Sequence, residues 1–314
     1  METKVKKRKA FYCNVKALLL FLVIYGHLIE THIGDSDFFL WQYRFIYAVH
    51  MPLFAFLSGF FLKSEYDCLK QMRTAVKIYV PAQLIAMVVI WLTEKRVLSF
   101  FTPYWHLWYL MSLFFWAGIC YFAVRIKKRW KRWTVLFLSI LIACLCGYAD
   151  GNGRVLSLSR TLYFLPFVLL GCFLPKGIRF AAHRRKGIVA GFVAIVLFVR
   201  FISGWPVELL YGADSFDTLA LANGTVARLL CILVAAGLGW ALLSLLPGKA
   251  LSVSRVGVDT LLIYLLHGPL VRLARNIRVE NHWFALLAPI LAALIYLALY
   301  LIFEGRKKNI QIVS

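Results

Sequence analysis

The sequence predicts an all-α, polytopic membrane protein of about ten transmembrane helices, with both termini in the cytoplasm. Three observations carry this reading. Hydrophobic residues make up 62% of the 314, well above the ~45–50% of a soluble globule. Those about 195 apolar side chains suffice for roughly ten spans of ~20 residues and leave little for a water-soluble domain. The 36 Lys and Arg residues, against 14 Asp and Glu, collect in short segments between the apolar runs, where basic loops orient a membrane protein. The composition excludes a soluble enzyme and a disordered chain. A net charge of +22 in a soluble protein would point to nucleic acid, but there is no basic face apart from these loops, so no nucleic-acid partner is expected. No Gly-rich phosphate loop is present, which excludes a Walker-type ATPase.

The elements follow in order. The first span, 12–31, is built on the apolar run Ala17–Tyr25. Lys4 to Lys9 ahead of it mimic the basic start of a signal peptide. Lys16 and His27 interrupt or bound the apolar stretch, however, and no Ala-x-Ala cleavage site follows, so it is read as a retained helix. The second span, 43–62, returns through Pro52 after a short hairpin. The third, 79–94, follows a basic segment, and the fourth, 107–124, grows out of an aromatic run. The fifth and sixth, 134–149 and 160–175, flank a Gly- and Asp-containing loop. The seventh, 188–205, and eighth, 223–246, are separated by the acidic, Gly- and Pro-bearing segment 203–217. The ninth and tenth are 257–275 and 284–304. The third and fifth are short for a full crossing. There is no internal repeat, and 1–314 reads as one integral membrane domain.

With the amino terminus inside, 25 basic residues fall on the inner side and nine on the outer side or outer helix ends, which supports an even number of crossings. Arg272, Arg275 and Arg278 break the pattern. At spacing three they form a basic strip near the outer face, either functional or a sign that the last hairpin is misplaced. The seven cysteines show neither zinc spacing nor a Cys-x-x-Cys pair; six lie within or beside apolar runs and Cys68 in a basic loop, so small buried side chains and no metal site are expected.

Ionisable residues inside a membrane are functional candidates by default. Lys16 and His27 are eleven residues apart, almost three helical turns, so they share a face about 16.5 Å apart along the axis. Glu30 follows at i+3, placed to orient the imidazole. His50 lies about seven residues into the second span, or ~10 Å deep, a depth close to that of His27. It opens His50-Met51-Pro52, where the proline removes a backbone donor. Trp105, His106 and Trp108 begin the fourth span; such aromatics anchor a helix at the headgroups or serve as platforms for a sugar ring. Thr260, Tyr264 and His267 share one face of the ninth span. On the inner side, Lys70, Arg73 and Lys77 form a stripe suited to phosphate or to plain topogenic charge.

Taken in order, these runs resemble the acyltransferase-3 family of multi-pass membrane acyltransferases, most closely its fucose 4-O-acetylase-like branch. The resemblance rests on Lys16 with Gly26-His27, on Ile46-Tyr47-Ala48-Val49-His50-Met51-Pro52-Leu53-Phe54, and on Leu57-Ser58-Gly59-Phe60-Phe61. It continues through Arg73 to Pro81, Trp105-His106-Leu107-Trp108-Tyr109-Leu110 and Ile263-Tyr264-Leu265-Leu266-His267. The middle, about 125–255, matches in hydropathy only. Lys16 stands where the family often has Arg, which alone offers a bidentate fork.

The resemblance implies O-acyl transfer, usually of acetyl from acetyl-CoA, to a hydroxyl of a sugar or cell-surface polysaccharide. On this view Lys16, Arg73 and Lys77 hold the coenzyme A phosphates. His27, with Glu30, acts as general base or as acyl carrier. His50 binds the oxyanion or the acceptor, and Trp105, His106, Trp108, Tyr264 and His267 contact substrate. The expected location is a bacterial cytoplasmic membrane, with the lipid bilayer and other glycan-synthesis proteins as partners. The competing class is transport: a glycan exporter or flippase, or a proton-coupled carrier. Transporters often show paired repeats, and none is found here.

Overall fold

The computed structural model describes residues 2–149, 153–251, 254, 256–258, 260–275 and 281–304. Its regular structure among these residues is helical throughout. In chain order the helices are α1 (Glu2–Ile29), α2 (Asp37–Phe61), α3 (Glu65–Glu94), α4 (Trp108–Ala123), α5 (Arg129–Leu145), α6 (Leu158–Phe173), α7 (Arg184–Arg200), the single turn α8 (Glu208–Tyr211), α9 (Gly224–Leu245), α10 (Thr260–Arg275) and α11 (Asn281–Glu304). Each of the ten apolar runs of the sequence corresponds to one long helix. Eight of them, α1 to α7 and α9, are long and apolar enough to cross a membrane. The chain is an all-α, multi-pass membrane protein.

Several boundaries differ from expectation: α1 begins at Glu2, not 12, and α5 at Arg129, not 134, and two further differences move candidate residues. The third helix begins at Glu65, not 79. Ser64 is extended at the N-cap and its hydroxyl accepts from the Asp67 amide at 3.1 Å, while Glu65 and Asp67 sit at the positive end of the helix. Cys68 is therefore buried inside α3 and not in a loop, and Lys70, Arg73 and Lys77 lie on one continuous 30-residue helix. The second helix begins at Asp37, which places His50 about 20 Å along its axis instead of ~10 Å. Pro52 lies within that helix without ending it.

The chain forms two compact units. The first comprises residues 1–50, 180–189 and 240–314. In it α1 packs on both α10 and α11, which also pack on each other. Asn14 ties α1 to the segment before α10: its side-chain amide donates to the carbonyls of Pro247 and Lys249, each at 2.9 Å. Gly257 lies directly on the backbone of Cys13, where a Cβ would come within 2.0 Å of the carbonyl oxygen.

The second unit comprises residues 51–179 and 190–239. Here α3 packs on α4, α4 on α6, and α5 on α6. Exposed Leu84, Ile85, Val88, Val89, Trp91 and Leu92 on α3 recur at helical spacing and form a face suited to lipid. The end of α2 crosses α6 through two glycines. A Cβ on Gly59 would stand 1.8 Å from the Val168 carbonyl oxygen, and one on Gly171 would stand 2.1 Å from that of Phe56. Backbone meets backbone here, so nothing can swing aside. Gly59→Ala and Gly171→Ala are each expected to lower stability by about 2 kcal/mol or more, read as a fall in thermal midpoint in detergent. Gly177→Ala, with nothing within 4 Å of the added methyl, serves as the neutral control.

Lys63 locks the same crossing. Its ammonium donates to the carbonyls of Gly171, Cys172 and Leu174 at 2.6, 2.9 and 2.7 Å. These belong to the end of α6, where carbonyls lack helical partners and a cation meets the negative end of the helix dipole. Burial pushes the Lys63 pKa down to about 8.

Candidate active site

His27 occupies the last turn of α1. The chain then tightens into a 3-10 turn over Glu30–His32, which brings the Glu30 carboxylate 3.3 Å from Nδ1 of His27. A carboxylate only accepts, so the neutral imidazole carries its proton on Nδ1 and its lone pair on Nε2.

The third member of this group comes from the far end of the chain. Arg275, at the end of α10, donates through Nε to the His27 carbonyl at 2.8 Å. A terminal nitrogen of the same guanidinium reaches both that carbonyl and the Glu30 carboxylate. One side chain thus satisfies an orphan carbonyl at the end of α1 and neutralises the carboxylate that orients His27. Relative side-chain exposures of 12% for His27, 30% for Glu30 and 21% for Arg275 describe a half-sheltered group that water or a substrate can still reach. The strip of arginines that strained the sequence reading is accounted for here at Arg275. Arg272 is exposed, and Arg278 lies outside the described residues.

Two more of the candidate histidines share this unit. His267 of α10 is fully buried and stacks on His27, with ring centroids 5.5 Å apart and planes 18° apart. Its Nδ1 donates to the Tyr264 carbonyl, and the Tyr264 ring lies 5.6 Å away. His50 of α2 is 2% exposed. Its Nδ1 donates to the Ile46 carbonyl at 2.7 Å, Tyr47 meets its ring edge-to-face at 4.6 Å, and it lies within electrostatic reach of His27. All three imidazoles are therefore anchored through Nδ1 and present Nε2 as the basic nitrogen. Gly26, beside His27, permits the approach of α2: a Cβ there would sit 3.3 Å from Ile46 and 3.8 Å from Tyr47. Tyr25 and Gln42 close the same α1–α2 contact through a 2.5 Å hydrogen bond.

Lys16 is half-buried on α1. It shares the His27 face of an unbroken helix, about 16.5 Å away along the axis.

The remaining candidates belong to the second unit. Arg73 and Lys77 are exposed on α3. Trp105 and His106 lie in a 3-10 turn before α4, where Trp105 takes a left-handed backbone with φ 36°, a conformation that costs about 1–3 kcal/mol outside glycine. The loop leading into this turn is held by Gln83, fully buried on α3. Its amide nitrogen donates to the Ser99 and Thr102 carbonyls, both at 3.1 Å, and its oxygen accepts from the Tyr104 amide at 2.9 Å. His106 is buried. Trp108 stacks on Phe164 at 5.6 Å and carries the Arg160 guanidinium over its ring at 4.9 Å, so its faces are engaged by protein groups instead of standing open as a platform. Sequence reasoning did not single out Gln83 or Arg160. Among the described residues no group of three or more His, Cys, Asp or Glu is placed to hold a metal ion.

Fold and site define a multi-pass membrane protein with an imidazole, held by a carboxylate and a guanidinium, at the end of its first helix. The family model for the acyltransferase domain Acyl_transf_3 matches residues 14–304, and the chain belongs to that family. The match is to the family as a whole and assigns no branch within it. A curated relative, the nodulation protein NolL of Mesorhizobium japonicum, is 25% identical over 304 residues, covering 85% of this chain and 78% of that protein. No solved structure matches.

Proposed function

We propose that this acyltransferase moves an acyl group, acetyl in the simplest case, from acyl-CoA to a hydroxyl of a sugar or cell-surface polysaccharide at a bacterial cytoplasmic membrane. The observation that carries the proposal is Nε2 of His27, left as the lone-pair nitrogen and fixed in direction by Glu30, which Arg275 holds in place. In the general-base form, Nε2 takes the proton of the acceptor hydroxyl as its oxygen attacks the thioester carbonyl; the C–S bond then breaks, and the departing thiolate recovers the proton. In the covalent form, Nε2 attacks the carbonyl and the C–S bond breaks, releasing the thiolate; the acceptor hydroxyl then attacks the acyl-imidazole, the C–N bond breaks, and the thiolate takes the hydroxyl proton. The anchoring of His50 through Nδ1 gives it a role in accepting a hydrogen bond from the acceptor hydroxyl. A neutral ring so held has no N–H left for an oxyanion.

Lys16, Arg73 and Lys77 supply cations for the coenzyme A phosphates. The axial distance from Lys16 to His27, about 16.5 Å, is roughly the length of a pantetheine arm. Trp105 and His106, with Tyr264 and His267, are the residues proposed to meet the acceptor.

The test uses membranes containing the full chain, acetyl-CoA labelled in the acetyl group, and a glycan fraction from the host. Label that becomes alkali-labile on the glycan supports the proposal. Acceptor that crosses the membrane without gaining label would replace it with transport.

A further inference from the structure

The hairpin that joins α4 to α5 carries charge for which acyl transfer has no use. Residues 124–133 read Val-Arg-Ile-Lys-Lys-Arg-Trp-Lys-Arg-Trp, six cations without an acid. Two are spent on the fold. Arg125 forms a fork on Glu65, with both hydrogen bonds at 2.8 Å. Arg132 donates to the Ile126 carbonyl at 2.8 Å and lies over the Phe173 ring. The other four, Lys127, Lys128, Arg129 and Lys131, are exposed, and none is in an ion pair among the described residues.

Their position makes this costly. Helix α5 starts at Arg129 with Lys128 as its N-cap, no side-chain cap bond and no acid in the first turn. Cations therefore crowd the positive end of a helix dipole, where anions are favoured. An outside anion would relieve this arrangement.

The neighbouring side chains say which anion. Trp130 and Trp133 are 62% and 56% exposed, and farther along α5 so are the apolar side chains of Phe137, Leu138, Leu141, Ile142 and Leu145. Going down the helix, exposed cations give way to indoles and then to bare hydrocarbon. A lipid leaflet has the same order: phosphate, interface, acyl chain. The Lys131 ammonium lies over the Trp130 ring at 5.5 Å; a soluble polyanion would satisfy the cations and leave Trp133 and the apolar face uncovered. We infer that residues 124–133, with the first turns of α5, form a binding surface for the headgroups of anionic phospholipids.

The test is native mass spectrometry of the detergent-purified full chain, titrated with phosphatidylglycerol or with phosphatidylcholine. Wild type is expected to retain phosphatidylglycerol in preference. Replacing Lys127, Lys128 and Lys131 together by Gln lowers that affinity about 100-fold, since each basic residue near an anionic surface contributes about a fivefold factor. A control with the same loss of charge elsewhere, Lys95, Arg96 and Arg200 to Gln, keeps wild-type affinity. Equal affinity of the Lys127/Lys128/Lys131 variant and wild type would overturn the inference. So would an equal loss in the control, or displacement of the lipid by inorganic phosphate at matched ionic strength. Circular dichroism of each variant separates loss of binding from loss of fold.

Discussion

His27→Ala is expected to lower acyl transfer about 10²- to 10⁴-fold, the span that a positioned general base contributes, with little change in folding. The side chain lies at a helix end, is 12% exposed, and makes contacts that hold it in place more than they hold the helices together. The measurement is label transfer to the glycan at equal expression of the two proteins. Unchanged transfer would remove His27 from the chemistry. The same variant separates the two mechanisms. If Nε2 carries the acyl group, wild-type protein exposed to labelled donor without acceptor retains label through rapid desalting at neutral pH that hydroxylamine releases, and His27→Ala retains none. If His27 acts only as a base, neither protein retains label.

The second large effect falls on the group behind the imidazole. Glu30→Gln preserves shape and removes the charge. The new amide can offer N–H as well as oxygen to Nδ1, so the tautomer is no longer dictated and Nε2 loses its fixed role. A fall of about 10²-fold or more in kcat, at nearly unchanged KM for the donor, is expected from the behaviour of orienting carboxylates in histidine-based sites. Arg275→Ala acts on the same unit and adds a structural loss. It strips the Glu30 carboxylate of its cation and leaves the His27 carbonyl without its donor. Between an exposed pair and a fully buried one, about 2 kcal/mol of stability is at stake. Arg275→Lys restores charge but loses the planar fork whose Nε and terminal nitrogen fix carbonyl and carboxylate in one geometry, so it recovers stability more than rate. Additive losses in the double variant Glu30→Gln/Arg275→Ala would contradict a shared unit; the expected result is that the double variant is hardly worse than the poorer single one.

The sequence made the membrane architecture legible because hydrocarbon imposes a length and a polarity on every crossing. All ten long helices fall on runs that hydropathy marks. It misplaced the start of α3 because the first turns of that helix are polar, and only the Ser64 cap distinguishes them from a loop. At the site, His27 and Glu30 were readable because their partnership is local, three residues within one helix end. Arg275 was visible as an anomaly of charge but not as a partner, since nothing in spacing or hydropathy relates it to Glu30. Gln83 was silent for a different reason: a single neutral amide in an apolar run carries no sign of the three backbone groups it gathers. The sequence offered the aromatic run at 104–109 as a headgroup anchor or as a surface for ligand, but could not show that Arg160 and Phe164 already engage Trp108.

The reach from Arg275 to Glu30 spans 245 positions of sequence. During synthesis the imidazole of α1 and the carboxylate that follows it are made at least 245 residues ahead of the guanidinium that completes them. A chain cut short before α10 therefore holds the imidazole and its carboxylate without the cation that ties them together.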